Sequence, residues 1–191
     1  MKKSLIGGLG IVAAFASSLF AQTNGTWTNA TSNSPWSTVV NWSGGSIADG
    51  ADAIADFSTL DIAANRTVNL GAHRSIGTLI FGDAITPSNN WTLANGTGGP
   101  WTLTLTTSSG SPVIQVVNQN ATVSALLGGT QGFSKTGAGA LTLSNGANTL
   151  GGGISISAGT LNFANGSLGS NLVTFTDNAT LGWSAGNTQD I

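Results

Sequence analysis

The 191-residue sequence has no cysteine, tyrosine or glutamate, a single histidine, one methionine and four prolines, and only five Lys or Arg against seven Asp. Each shortage excludes something. Without Cys there are no disulfides or thiolate metal sites, so the chain holds together by packing and hydrogen bonds alone. With His73 as the one imidazole, a zinc site lacks ligands, and a Ser-His-Asp triad would rest on a residue beside Arg74 with no motif around any Ser. The near absence of Glu, Lys and Arg removes the residues that normally coat helices, and an α-rich fold goes with them. A net charge of −2 with 40% hydrophobic residues is not the balance of a disordered chain. What fills the space is 28 Gly and an abundance of Thr, Ser and Asn, residues of turns, caps and strands. The composition is that of an all-β protein.

Residues 1–21 have the layout of a secretory signal peptide. Lys2 and Lys3 precede an apolar run from Leu5 to Leu19, and small residues lead to Ala21 before Gln22. That run is too short and too rich in Gly, Ala and Ser for a transmembrane span. Removal of the segment leaves Arg66, Arg74 and Lys135 as the cations among seven Asp. No basic patch forms, so nucleic acid and anionic membranes are not expected partners.

A repeat sets the fold. Ala140–Ser144, Thr160–Ala164 and Thr180–Ser184 follow one another at 20-residue spacing with their apolar positions in phase. Ile154–Ser157 and Leu172–Phe175 supply a second short strand before the later two, and Asn-Gly and Gly-rich turns lie between. The rhythm continues upstream, less regularly, to Leu79–Gly82. Short alternating strands at this period, with no helical crossovers, fit an all-β right-handed parallel β-helix with coils of about 20 residues stacked about 4.8 Å apart. Leu141, Leu143, Leu161, Phe163, Leu181 and Trp183 point inward; Thr142, Asn162 and Gly182 point outward. About eight coils and a rod of about 40 Å are expected. An antiparallel sandwich or barrel is the rival, and the phasing argues against it. Residues 22–70, less periodic and carrying Trp27, Trp36 and Trp42, form an N-terminal cap and irregular first coils, and residues 71–191 form the repeats.

The segment Gly132-Phe133-Ser134-Lys135-Thr136-Gly137-Ala138-Gly139-Ala140-Leu141-Thr142-Leu143-Ser144, continued by Asn148, Gly151–Gly153, Ile154, Ile156 and Ala158–Leu161, resembles the autotransporter-associated β-strand repeat of bacterial surface proteins. The best-matching repeat is 132–161, with weaker copies at 72–82 and 171–184. The resemblance implies a passenger-like β-helix outside a Gram-negative-type cell. The sequence departs from a full autotransporter layout in showing no transmembrane barrel, because the C-terminal residues continue the repeat and bring no aromatic girdles.

Candidate chemistry is sparse. Gly129–Thr136 nearly spells a phosphate-binding loop, but Ser134 takes the place of the second Gly and no helix can follow. Lys135 is expected at a solvated turn. Asp49, Asp52, Asp56 and Asp61 offer hard oxygen ligands for Ca²⁺ or paired carboxylates, yet their spacing matches no calcium loop, and they read as solubilising charges. Six Trp invite a sugar-binding reading, since exposed indoles stack on pyranose rings. Trp27, Trp36, Trp42, Trp91 and Trp101 are the candidate ligand contacts, although the first three also suit closure of the core, and Trp183 belongs in the core. Neither catalytic residues, cofactor nor metal is expected. The sequence supports a non-enzymatic, exported surface or extracellular scaffold, possessing adhesive outer ladders, with a surface glycan or another matrix or surface protein as partner. The alternatives are a secreted polysaccharide-active β-helix enzyme, lyase or hydrolase, and a truncated fragment of a larger autotransporter. Sequencing the N-terminus of the exported protein should return Gln22; a chain beginning at Met1 would refute the signal peptide.

Overall fold

A computed structural model describes residues 21–191, so all of the expected signal peptide except Ala21 lies outside the described residues. The chain is a parallel β-helix with three faces, and apart from short 3₁₀ turns the described residues form strands and turns only. One seven-stranded sheet runs Gly25–Thr26, Ile54–Phe57, Thr78–Phe81, Val113–Val116, Phe133–Thr136, Ile154–Ile156, Val173–Phe175. A second seven-stranded sheet runs Ser34–Pro35, Arg66–Asn69, Trp91–Ala94, Asn120–Val123, Ala140–Leu143, Thr160–Phe163, Thr180–Trp183. The third has four strands, Arg74–Ile76, Thr102–Leu105, Leu126–Gly129 and Thr149–Leu150. All three sheets pair in parallel; antiparallel contacts among the described residues are the bridges Thr23–Asp49 and Trp27–Trp42, both within residues 23–49. The parallel register rules out the sandwich.

The register follows the expected phase. Leu141 lies beside Leu161 and Leu161 beside Leu181, and the column extends through Ala121 to Trp91. A neighbouring column stacks Leu93, Val123, Leu143, Phe163 and Trp183. Each buried Leu or Phe in these columns contributes about 1.5–3 kcal/mol through loss of apolar surface to water. Alternation does the sorting, because successive side chains of a strand point to opposite faces.

The coils are not uniformly 20 residues. In the first sheet Gly25 pairs with Ala55 and Leu79 with Ile114, so these coils consume 30 and 35 residues. There are accordingly seven rungs rather than eight, and the stack spans about 29 Å at the usual strand spacing. The extra residues leave the sheets as loops with their own anchors. In the loop after Phe81, Asp83 is buried and its carboxylate accepts the N–H groups of Ile62, Ser88 and Asn89 at 2.8–3.0 Å. Burial alone would raise its pKa, but the three backbone bonds outweigh burial and hold the carboxyl below its usual range.

The abundance of Asn has a structural cause. A corner between strands leaves N–H and C=O groups without a strand partner, and one Asn side chain offers an acceptor and a donor together. Asn148 accepts the N–H of Leu127 and donates to the Ser167 carbonyl, both at 2.9 Å, linking the coils on either side of it. Asn65 Oδ1 accepts the N–H of Asn90, and Asn90 Oδ1 that of Asn120.

The register gives a direct test. Thr142 and Asn162 are Cα partners on the outer face, so Thr142→Cys combined with Asn162→Cys should form an intramolecular disulfide on mild oxidation, neighbouring Cα atoms being within bridging range. Failure to cross-link in folded protein would refute the register. Leu161→Asp should destabilise by several kcal/mol more than Thr142→Asp, because the first buries an unpaired charge and the second leaves it in water.

Candidate functional site

The aromatic candidates separate by burial. Trp27, Trp36, Trp42 and Trp91 are 0–2% exposed. They gather around Phe57, whose ring centroid lies 5.3–5.6 Å from all four. Their indole N–H groups donate to the carbonyls of Asn29, Ala48, Trp36 and Gly82 at 2.6–3.0 Å. With rings packed and N–H groups committed, these four tryptophans have no face free for a sugar. Trp27, Trp36 and Trp42 close the core at the first coil, where no further rung shields it among the described residues, and Trp91 packs under them, against Phe57, from the third rung of the second sheet. Trp101 is half-buried, lies edge-on to His73 at 5.4 Å, and donates to the Thr97 carbonyl. Trp183, expected in the core, is in phase with Phe163 but 50% exposed, since no rung covers it among the described residues.

The acidic set does not assemble. Asp49 pairs with Arg74 at 2.8 Å and accepts the N–H of Ser75. Asp52, with φ of +64°, accepts the N–H of Ser108; Asp61 accepts the N–H and hydroxyl of Thr86. Each of these three carboxylates fastens one turn to a neighbour, whereas Asp56 accepts the N–H and hydroxyl of Ser58 two residues on. His73 does similar work through Nδ1, which accepts the N–H of Thr102. Among the described residues no three His, Cys, Asp or Glu side chains come together as metal ligands.

Lys135 departs most from expectation. Far from a solvated turn, it is fully buried in the inner column of the first sheet, between Ile114 and Ile156. Its ammonium donates to the carbonyls of Thr136, Gly137 and Ala158 at 2.9, 2.8 and 3.0 Å, so each of its three donors is used and two coils are joined. The corner that brings these carbonyls together requires glycine. Gly137 has φ of +78° and a Cβ there would strike the Val116 carbonyl; Gly159, with φ of +65°, sits over the carbonyls of Gly137 and Gly139. Lys-Thr-Gly-Ala-Gly is therefore a cation with the cage that receives it, not a phosphate loop.

Burial pushes the Lys135 ammonium down to about 8 from the usual 10.5. It remains charged at pH 7, held by carbonyl dipoles without a carboxylate.

Two outward features remain. The outer face of the second sheet carries the ladder Thr67, Thr92, Thr122, Thr142, Asn162, Gly182, one residue per rung and none charged. At the N-terminal end of the first sheet, the turn Ser43–Gly45 and Ser46 overhang the strands Gly25–Thr26 and Ile54–Phe57, leaving an open groove of about 350 Å³. Of its lining only Asp56 stands out in the sequence. The others are Asn24, Gly25, Thr26, Ser43, Ser46 and Ile54, and no motif marks them because a loop from a different part of the coil completes the groove.

Residues 133–163 match the family model of the passenger-associated-transport-repeat. The chain thus carries an autotransporter-associated repeat, at the segment whose resemblance the sequence displays, and the match spans the Lys135 corner together with the strands on both sides of it. No curated protein and no solved structure matches the chain.

The buried lysine makes a pH test. Between pH about 8 and 10.5 the unfolded chain holds the Lys135 proton that the folded chain has released, so stability should rise with pH across that window and be flat with respect to this group below it. The gain is about 3 kcal/mol at most. With no Tyr or Cys, no other side chain of those types titrates in the same range. Chemical denaturation of wild type and Lys135→Met should show the rise in the first and its loss in the second; equal slopes would refute the assignment.

Proposed function

We propose that the protein is a non-enzymatic, exported scaffold of passenger type, working at the surface or in the surroundings of a Gram-negative cell and adhering through its outer ladders. The observation that carries this reading is the uncharged column Thr67, Thr92, Thr122, Thr142, Asn162 on a rigid parallel sheet. A single exposed Thr or Asn contributes little against water, with a net hydrogen bond worth about 1 kcal/mol. A ladder repeating at about 4.8 Å sums such contacts against an extended partner and offers little to a small one. The passenger-associated repeat at 133–163 supports export, and so does the N-terminal segment with its Lys pair and apolar run. The commitment of Asp49, Asp52 and Asp61 to backbone anchors supports a structural reading over carboxylate catalysis.

Beads carrying the purified chain should be retained on polysaccharide or matrix-protein films, and Thr92→Asp with Thr122→Asp should lower retention at least several-fold while circular dichroism is unchanged. Wild-type beads that wash off every film would overturn the adhesive reading. Full retention of the doubly substituted chain would remove the ladder as the contact.

A further inference from the structure

The groove beside the cap has a composition that the scaffold role does not require. Its floor is the outer face of the first two strands of the first sheet, where Thr26 and Asp56 are register partners and Asn24 and Ile54 flank them. Its wall is Ser43 and Ser46. Among the described residues the hydroxyls of Thr26, Ser43 and Ser46 make no hydrogen bond to the protein, whereas the neighbouring turns are densely bonded. Asn24 is oriented: its Oδ1 accepts the N–H of Ile54 at 2.9 Å and the side-chain amide of Gln22 at 3.3 Å, and its NH₂ makes no hydrogen bond among the described residues. Asp56 is fixed similarly, its Oδ1 taking the N–H and hydroxyl of Ser58 at 2.8 and 2.6 Å and its other oxygen remaining available. Ile54, 36% exposed, adds the one apolar surface.

We infer that this groove binds one neutral, hydroxyl-rich sugar unit, such as a terminal hexose of a surface glycan. The volume is at the lower end of small-ligand sites, and a few fixed polar groups around an apolar patch are what such sites contain. A vicinal diol can donate to a carboxylate oxygen and accept from an amide NH₂, which are the roles held by Asp56 and Asn24. The three free hydroxyls serve as donor or acceptor, and Ile54 faces the C–H side of the ring. No cation lines the groove and Asp56 brings a negative charge, so acidic sugars are disfavoured. The inference deepens the adhesive reading by naming a partner class, and it places the contact away from the buried tryptophans.

The test is amide chemical-shift titration of the full chain with glucose, galactose and N-acetylglucosamine, and with glucuronate as the acidic counterpart. At least one neutral sugar should shift the amides of Thr26, Ser46, Ile54 and Asp56 saturably in the millimolar range, and glucuronate should bind at least tenfold more weakly. Asp56→Ala should weaken binding about tenfold. Because that change also frees Ser58, Ser46→Phe provides the second variant: on an exposed turn it fills the groove without touching the core, and it should abolish the shifts while the remaining spectrum stays in place. The proposal is overturned if none of the neutral sugars gives saturable shifts, if Ser46→Phe binds as wild type does, or if glucuronate matches the neutral sugars. Bead retention distinguishes this from the broader reading. Films that hold wild-type and Ser46→Phe beads equally would sink the groove and leave the scaffold standing, whereas a saturable sugar site on a chain that holds to no film would do the reverse.

Discussion

Every part of this molecule depends on stacking each strand on its own counterpart one coil below. Parallel stacking at about 4.8 Å satisfies backbone donors and acceptors between coils instead of within them, so no coil is stable alone. It also forces like positions into columns. A residue on one rung is judged by the residues directly above and below it, which explains why small and large alternate where Trp91 faces Ala121 and why Leu141, Leu161 and Leu181 repeat without change. The corners are the weak points, because the chain must turn there while its carbonyls remain unpaired. Asn148, Asn90 and Lys135 each serve a corner, and each does so by reaching into the next coil.

Lys135 shows how far this constraint goes. Desolvating an ammonium is costly, and hydrophobic columns normally reject it. Here the side chain crosses the interior as an aliphatic stem between Ile114 and Ile156, and its charged end meets three carbonyls that the Gly137 corner has already converged. The cation brings three donors to the carbonyls of this corner. Two charges are used inside, Asp83 gathering three N–H groups and Lys135 three carbonyls, while Asp49 fastens Arg74 and Ser75 nearer the surface.

The C-terminal half of the fold was readable from the sequence, because alternation and a strict 20-residue phase leave one arrangement of Leu141, Leu161 and Leu181. The upstream coils were harder to count, since loops of variable length break the period between Leu79 and Ile114 while leaving the register intact. The third face was not evident: Leu103–Leu105 resembles any other short strand, and only pairing with Leu126–Gly129 shows that it forms a separate sheet. Lys135 was misplaced for a definable reason. Composition treats lysine as a surface residue, yet its phase, two positions after Phe133 and aligned with Ile156, was that of an inward residue. Phase was the stronger signal. Trp183 is the converse case, correct in phase but lacking a rung above it among the described residues.

The placement of charge bears on how such a rod can act. Long-range steering requires exposed charge of one sign; Asp61, Asp177 and Asp190 are exposed, but they lie outside the strands and not on the ladder of the second sheet, where no position is charged. The outer ladder of the second sheet is left with hydroxyl, amide and methyl groups, which attract nothing from a distance and gain only on close, repeated contact. In the proposed adhesive role, recognition depends on the rigidity that fixes the repeat, and salt, which weakens charged interfaces, has little to screen on this ladder. The uncharged ladder and the buried anchors fit one pattern: Lys135 and Asp83 tie corners in the interior, the exposed Asp lie outside the strands, and the stacked outward positions carry neither.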